Sequence, residues 1–201
     1  GSNAANGSGL GGGIVHAGAS AVTSLSLLEI ASSTLAGNAG SGGGGIRTAS
    51  LSATSSTTTR LQNTLLANNT GGHLVQVAGT GTSTVSSRGH NLADTVEPLL
   101  NQASDRTNVN PQLGILQNNG GNSRSYALLP GSAAIDAGIR AGSVIDQRGS
   151  AFVRPLELLI ANAAGGDGSD IGAFEVPNTV LSILRASANP TPPGSTVSFT
   201  V

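Results

Sequence analysis

The chain contains no cysteine, no methionine and no tryptophan, and its aromatic side chains amount to one tyrosine and three phenylalanines. Without cysteine there is no disulfide framework and no thiol chemistry. The compartment stays open, because export does not require disulfides. So few aromatics exclude a thick core of large interlocking side chains. The apolar fraction of 37% is mostly Ala, Val, Leu and Ile, which suits thin, regularly stacked layers. Lysine is also missing: the nine basic residues are all arginine, and the formal net charge is −1. That balance lacks the electrostatic footprint of a nucleic-acid binder and the basic patch that holds anionic lipid. Apolar runs such as Leu27-Leu28 and Leu156 to Ala161 are far too short to cross a bilayer as a helix, so no direct membrane insertion is expected. Charged residues are only 9% and glycine is abundant, a composition that disorder shares. Here, however, the apolar residues are patterned.

The pattern is an internal repeat. Asn6 precedes Gly11-Gly12-Gly13-Ile14, and 32 residues later Asn38 precedes Gly43-Gly44-Gly45-Ile46. Leu66-Ala67-Asn68-Asn69-Thr70-Gly71 matches Leu35-Ala36-Gly37-Asn38-Ala39-Gly40 at a spacing of 31. A shortened copy is expected to end at Arg88-Gly89-His90-Asn91, 22 beyond Asn69. Between these points the apolar pattern has period two. Thr59, Leu61, Asn63 and Leu65 alternate with their neighbours, as do Val75 and Val77. Leu25 and Leu27 change phase to Leu28 and Ile30, which predicts a strand bend between Leu27 and Leu28. Gly and Asn at the corners suit positive φ. The expected fold is all-β, a parallel β-helix or solenoid whose coils share one narrow apolar core. Asn6, Asn38, Asn69 and Asn91 are the expected corner residues, serving turn geometry or hydrogen-bonding to one another along the axis.

From Asp105 to Glu175 the repeat gives way to another kind of signal. Asn118-Asn119-Gly120-Gly121, Ala127-Leu128-Leu129-Pro130-Gly131-Ser132, Ala134-Ile135-Asp136-Ala137-Gly138, Asp146-Gln147-Arg148-Gly149, Arg154-Pro155 and Asp170-Ile171-Gly172-Ala173-Phe174-Glu175 occur in that order over roughly a third of the chain. Together with Gly89-His90-Asn91-Leu92, they resemble the closing segment of the choice-of-anchor Q domain family of bacterial secreted proteins. Ala133 departs from the pattern, where a proline is expected. The resemblance implies a right-handed parallel β-helix and an extracellular or cell-surface location, and it is nearly silent on activity.

Three parts are expected. Residues 1–98 are β-helix coils that begin without an N-terminal cap, as in a piece of a longer protein. Residues 99–176 are the last coils and an irregular C-terminal cap. Residues 177–201 are a linker and a short trailing β segment that looks like the first strands of an immunoglobulin-like module. Residues 111–122 and 138–155 are the expected covers for the open strand edges at the end of the coils.

Chemistry is sparse. Glycoside hydrolysis needs two carboxylates across the scissile bond, but the strand-rich half offers Glu29, with Asp94 and Glu97 beyond it. Arg47, Arg60 and Arg88 lack the acidic cluster of a calcium-assisted lyase. His16, His73 and His90 have no metal-ligand spacing and read as surface or corner residues. Asp167 and Asp170 are the candidate ligands for Ca²⁺, against the alternative of an Asp-stabilised turn; no other cofactor is implied. Asp136, Asp146, Arg148, Arg154, Asp170 and Glu175 form a concentration of charge in which the arginines are expected to pair with the acids and fasten the cap loops to the last coil. The expected role is a non-catalytic stalk, spacer or adhesin-like module, with a polysaccharide or neighbouring modules as partners. The alternative is a polysaccharide-active β-helix enzyme, lyase or hydrolase, or a carbohydrate-binding module. An open groove with two close carboxylates favours the enzyme, and a flat Ser/Thr/Asn face favours the structural module.

Overall fold

The computed structural model describes residues 11–18, 23–77, 79–156 and 161–177. Among them the chain is all-β, and its first nine strands pass through three sheets in strict rotation. The first round is β1 (Ile14–Ala17), β2 (Leu25–Ala31) and β3 (Thr34–Ala36). The second is β4 (Ile46–Ala49), β5 (Ser56–Gln62) and β6 (Leu65–Ala67). The third is β7 (Leu74–Val77), β8 (Thr82–Ser87) and β9 (Leu92–Ala93). Each strand pairs in parallel with the strand three places on, giving sheets β1-β4-β7, β2-β5-β8 and β3-β6-β9.

The register follows the sequence repeat. Ile14 stands against Ile46, Leu35 against Leu66 and Ala36 against Ala67. Equivalent positions are 31 or 32 residues apart from the first round to the second, and 26 to 28 apart from the second to the third. The shortened third round is what blurs the repeat in the sequence.

Alternate residues of each strand face inward, as the pleat requires. Ile30, Leu35, Ile46, Leu61, Leu66, Leu74, Val85 and Ala93 form one interior cluster. The interior also holds polar side chains. Thr48 Oγ1 lies 2.7 Å from Thr59 Oγ1, and the His16 ring bridges Thr59 Oγ1 at 2.9 Å and Ser26 Oγ at 2.8 Å. Small hydroxyls that bond to one another fill a narrow interior without large apolar side chains. This corrects two readings. His16 faces inward rather than lying on the surface. The change of phase at Leu27-Leu28 is no bend, because β2 is unbroken. Ser26, Leu28 and Ile30 point in, while Leu25 and Leu27 are 89% and 54% exposed.

The corners separate two uses of small residues. Where the second sheet gives way to the third, Ser32, Asn63 and His90 have φ of 44°, 51° and 56° in successive rounds. After the third sheet, Gly37 and Asn68 have φ of 70° and 53°. The glycine runs answer a different need. A Cβ on Gly44 would lie 2.1 Å from Thr70 O, and one on Gly45 2.3 Å from His73 O. It is the backbone of the next round, rather than positive φ, that excludes a side chain there.

Beyond β9, Leu100 joins the interior cluster with Leu99 packed on it, and Arg106 bridges to Leu92. An antiparallel hairpin follows, β10 (Leu113–Gln117) and β11 (Ser125–Leu128). The described remainder, residues 129–156 and 161–177, does not cover strand edges as expected; it lies along the outer face of the third sheet. Ala36, Leu65, Ala67 and Leu92 point outward into a second cluster with Leu128, Ala134, Ala137, Ile171 and Phe174. Ala173 N donates to Thr34 Oγ1 at 3.0 Å, Gly172 N to Asn63 O at 3.1 Å, and His90 Nδ1 stands 3.1 Å from Ala137 O. Thr34, Asn63 and His90 belong to three successive rounds, so the segment spans all of them. The physical reason is that β6 is apolar on both faces. Leu66 points into the interior and Leu65 points out, and both are fully buried. Residues 111–122 and 138–155 serve this lateral layer: Leu113 packs on its cluster, and Ile139 N donates to Asn63 Oδ1 at 3.2 Å. Asn6 and the trailing segment after Pro177 lie outside the described residues.

Candidate functional site

Two polar constellations stand out. The first begins as an amide pair between rounds. Asn38 donates from N and Nδ2 to Asn69 Oδ1, both at 3.0 Å. Asn69 Nδ2 donates to Leu35 O at 2.8 Å and reaches His73 Nδ1 at 3.0 Å. Because an amide nitrogen donates, His73 Nδ1 accepts and its proton sits on Nε2. That nitrogen is 2.6 Å from Asp94 Oδ1. Asp94 Oδ2 accepts from Asn68 N at 2.7 Å. The line of hydrogen bonds thus runs from Asn38 through Asn69 and His73 to a carboxylate at the surface.

Asn91 is not part of this line. Leu92 pairs with Leu65, so Asn91 falls level with Thr64 at the other corner. There Thr64 N donates to Asn91 Oδ1 at 2.9 Å, and Asn91 Nδ2 donates to Ser87 Oγ at 2.8 Å. The line continues instead through His73, a corner residue just before β7, which is buried rather than on the surface. Its signal was present: His73-Leu74 stands in register with Gly45-Ile46, so a histidine has replaced the last glycine of the run. Asn69→Ala removes an acceptor and a donor that together serve four hydrogen bonds. It is expected to destabilise the chain by about 1–3 kcal/mol, measured by urea unfolding.

Asp94 opens onto a cavity of about 600 Å³. It is lined by Asn68, Asp94, residues 110–113 and Leu129. Nearby Glu97 is buried and caps Leu74 N at 3.2 Å and Leu99 N at 3.3 Å. Burial pushes its carboxyl up against the opposing pull of those two bonds and of His73. Among the described residues the cavity wall therefore presents one carboxylate, Asp94. Glu29 is 3.5 Å from Arg60 and 3.1 Å from Arg88 on the exposed face of the second sheet, pairs that contribute little.

The second constellation holds all six charged residues singled out in the closing segment, and all six are buried. Asp146 Oδ2 accepts from Arg148 Nη2 at 2.7 Å, Arg148 Nε at 2.9 Å and Glu175 N at 2.9 Å. Arg148 also donates to Glu175 O. Its guanidinium is sandwiched between Phe152 and Phe174, 3.8 Å from each ring centroid. Arg154 Nε is 3.1 Å from Glu175 Oε2, and Arg154 Nη2 donates to Gly172 O at 2.9 Å. Glu175 in turn accepts from Leu156 N at 2.9 Å and Asp170 N at 3.1 Å. Asp170 accepts from Asp136 N at 2.9 Å and Val176 N at 2.6 Å. The arginines fasten irregular stretches of the closing segment to one another rather than to the third round of strands.

Four carboxyl groups here face two guanidinium groups. Burial first, then the Glu175 charge, push Asp170 up to about 7, against the pull of its two N–H donors. Glu175 is also raised, chiefly by burial. A carboxyl raised in the folded state binds its proton more tightly there than in the unfolded chain. Its contribution is fully present below the unfolded value near 4 and is lost as pH rises toward about 7. The urea midpoint should therefore fall between about pH 4 and pH 7, and Asp170→Asn should flatten that slope. An unchanged slope in the variant contradicts the assignment.

The calcium candidates diverge. Asp167 accepts from Arg140 N at 3.0 Å and Ser169 N at 3.1 Å, while both Asp170 oxygens serve other N–H groups. Burial raises the Asp167 carboxyl, but its hydrogen bonds and Arg140 outweigh this and leave it low. Among the described residues no group of three or more His, Asp or Glu side chains is placed to hold a metal ion. No family model matches this chain, and neither the curated proteins nor the solved structures provide a match.

Proposed function

We propose that this chain is a right-handed parallel β-helix that acts as a non-catalytic scaffold in a secreted or surface-displayed bacterial protein, in the manner of the choice-of-anchor Q domains that its closing segment resembles. The coil reading is supported by the strict rotation of nine strands through three parallel sheets, and right-handedness by the general hand of parallel crossovers. The observation that carries the scaffold role is the distribution of acid groups. In the closing segment the carboxyls of Asp136, Asp146, Asp170 and Glu175 are buried together in a lock that holds structure. The cavity at Asp94 offers one carboxylate, where glycoside cleavage calls for two. The outer face of the second sheet displays Ser56 and Thr58 beside Thr82 and Thr84, a face suited to contact with neighbouring modules or polysaccharide.

The test is incubation of the chain with pectin, alginate and xylan, following new reducing ends and the absorbance of unsaturated uronates. No turnover above that of the heat-denatured chain is expected. Turnover that disappears in Asp94→Asn would establish the enzyme reading instead.

A further inference from the structure

The cavity beside Asp94 is built in a way that a scaffold role leaves unused. We propose that it binds an uncharged sugar unit, with Asp94 as the hydroxyl acceptor. This goes beyond the scaffold reading, which stands whether or not the cavity is filled.

A carboxylate on a flexible surface is a poor recognition element, because ordering it costs entropy. Asp94 is already ordered: His73 holds one oxygen at 2.6 Å and the Asn68 amide holds the other at 2.7 Å. His73 is itself fixed by Asn69, so the imidazole presents a proton to Asp94 in a settled tautomer. Each carboxylate oxygen keeps further lone-pair capacity, and a hydroxyl donating to it makes a charge-assisted bond.

The remaining walls match a sugar rather than an ion. Among the described residues no basic side chain lines the cavity, so they offer an anion no counter-charge. A single carboxylate falls short of the six to eight oxygens that Ca²⁺ collects. Amide side chains both donate and accept, as sugar hydroxyls do. Asn110 Oδ1 takes the Gln112 N–H at 2.8 Å, which leaves its amide nitrogen to donate. Gln112 Nε2 is used on Gly131 O at 3.1 Å, which leaves Oε1 as an acceptor. Leu113 and Leu129 supply an apolar ledge for the C–H face of a ring. The volume of about 600 Å³ lies within the usual range for small-ligand sites.

The experiment is a titration of the whole chain, followed by amide NMR, with the neutral disaccharides cellobiose, maltose, lactose and xylobiose. Glucuronate and glucosamine serve as charged comparators. At least one neutral disaccharide is expected to shift the amides of Asn68, Asp94, Gln112 and Leu113 saturably, with a millimolar Kd. Asp94→Asn should weaken that binding tenfold or more. Leu129→Trp fills the cavity from its rim without touching the hydrogen-bonded line, and should abolish binding while the remaining spectrum stays native. The proposal is overturned if no neutral disaccharide shifts these amides saturably, if both variants bind as the parent does, or if glucuronate or glucosamine binds more tightly than every neutral sugar. None of these outcomes produces turnover, so they leave the scaffold reading to its own test.

Discussion

Replacing Arg148 by alanine is expected to destabilise the folded chain by about 3–5 kcal/mol. The side chains of Arg148 and Asp146 are 3% and 0% exposed, so solvent cannot take over the lost partner's role. Without the guanidinium, Asp146 remains buried among other acids, held by backbone N–H groups alone. The space between Phe152 and Phe174 is emptied at the same time, removing two cation–π contacts. Charge and packing losses therefore fall on one substitution. Arg148→Met separates them: it keeps an unbranched chain between the rings but leaves Asp146 unpaired. Adding Asp146→Leu should then recover much of the loss, since a buried pair replaced as a unit by apolar residues is often tolerated. Equilibrium urea unfolding of the three variants measures this. A change in Arg148→Ala below about 1 kcal/mol, the level of an exposed pair, would mean that the pair is solvated.

Leu65→Ala is the second large effect, expected at about 2–5 kcal/mol. Leu65 is fully buried between the third sheet and the closing segment, where Ile171 and Phe174 pack in the same cluster. Leu66→Ala should cost a similar amount, but for the opposite face of the same strand. The two differ in where stability is lost. Hydrogen exchange should show Leu65→Ala loosening the Gly138, Ile171 and Gly172 amides first, and Leu66→Ala loosening the paired amides of β4 to β6. Identical exchange patterns in the two variants would contradict the assignment of opposite faces.

These two residues also show where the sequence stops being informative. The repeat was legible at Ile14 and Ile46 because Gly12-Gly13 and Gly44-Gly45 before them are imposed by neighbouring backbone, so the same marker recurs in register. It faded in the third round because the markers changed. His73 replaced a glycine, and Asn91 belongs to a different corner from Asn38 and Asn69. The adjacent pair Leu65-Leu66 reads as a short apolar run and gives no sign that its two side chains enter different clusters. Nothing in that run points to a segment lying along the sheet, whereas open strand edges call for a cover. The charge concentration from Asp136 to Glu175 was visible as composition, and the involvement of both arginines followed from their chemistry. The ring sandwich was not visible, because Phe152 and Phe174 meet only when the segment folds back on itself. The cavity at Asp94 was hidden for the same reason. Asn68, Asp94, Gln112 and Leu129 are far apart in the chain and carry no shared motif.

The lateral placement of the closing segment is the centre of this account, and nuclear Overhauser contacts test it most directly. The measurement is the set of contacts made by the Gly172 and Ala173 amides. They are expected to reach Thr34 in the first round and Leu65 in the second, since Ala173 N lies 3.0 Å from Thr34 Oγ1 and Gly172 N lies 3.1 Å from Asn63 O. Contacts from these amides only to third-round residues such as Val85 and Ala93, with none to Thr34 or Leu65, would place the segment over the end of the sheets and contradict the account.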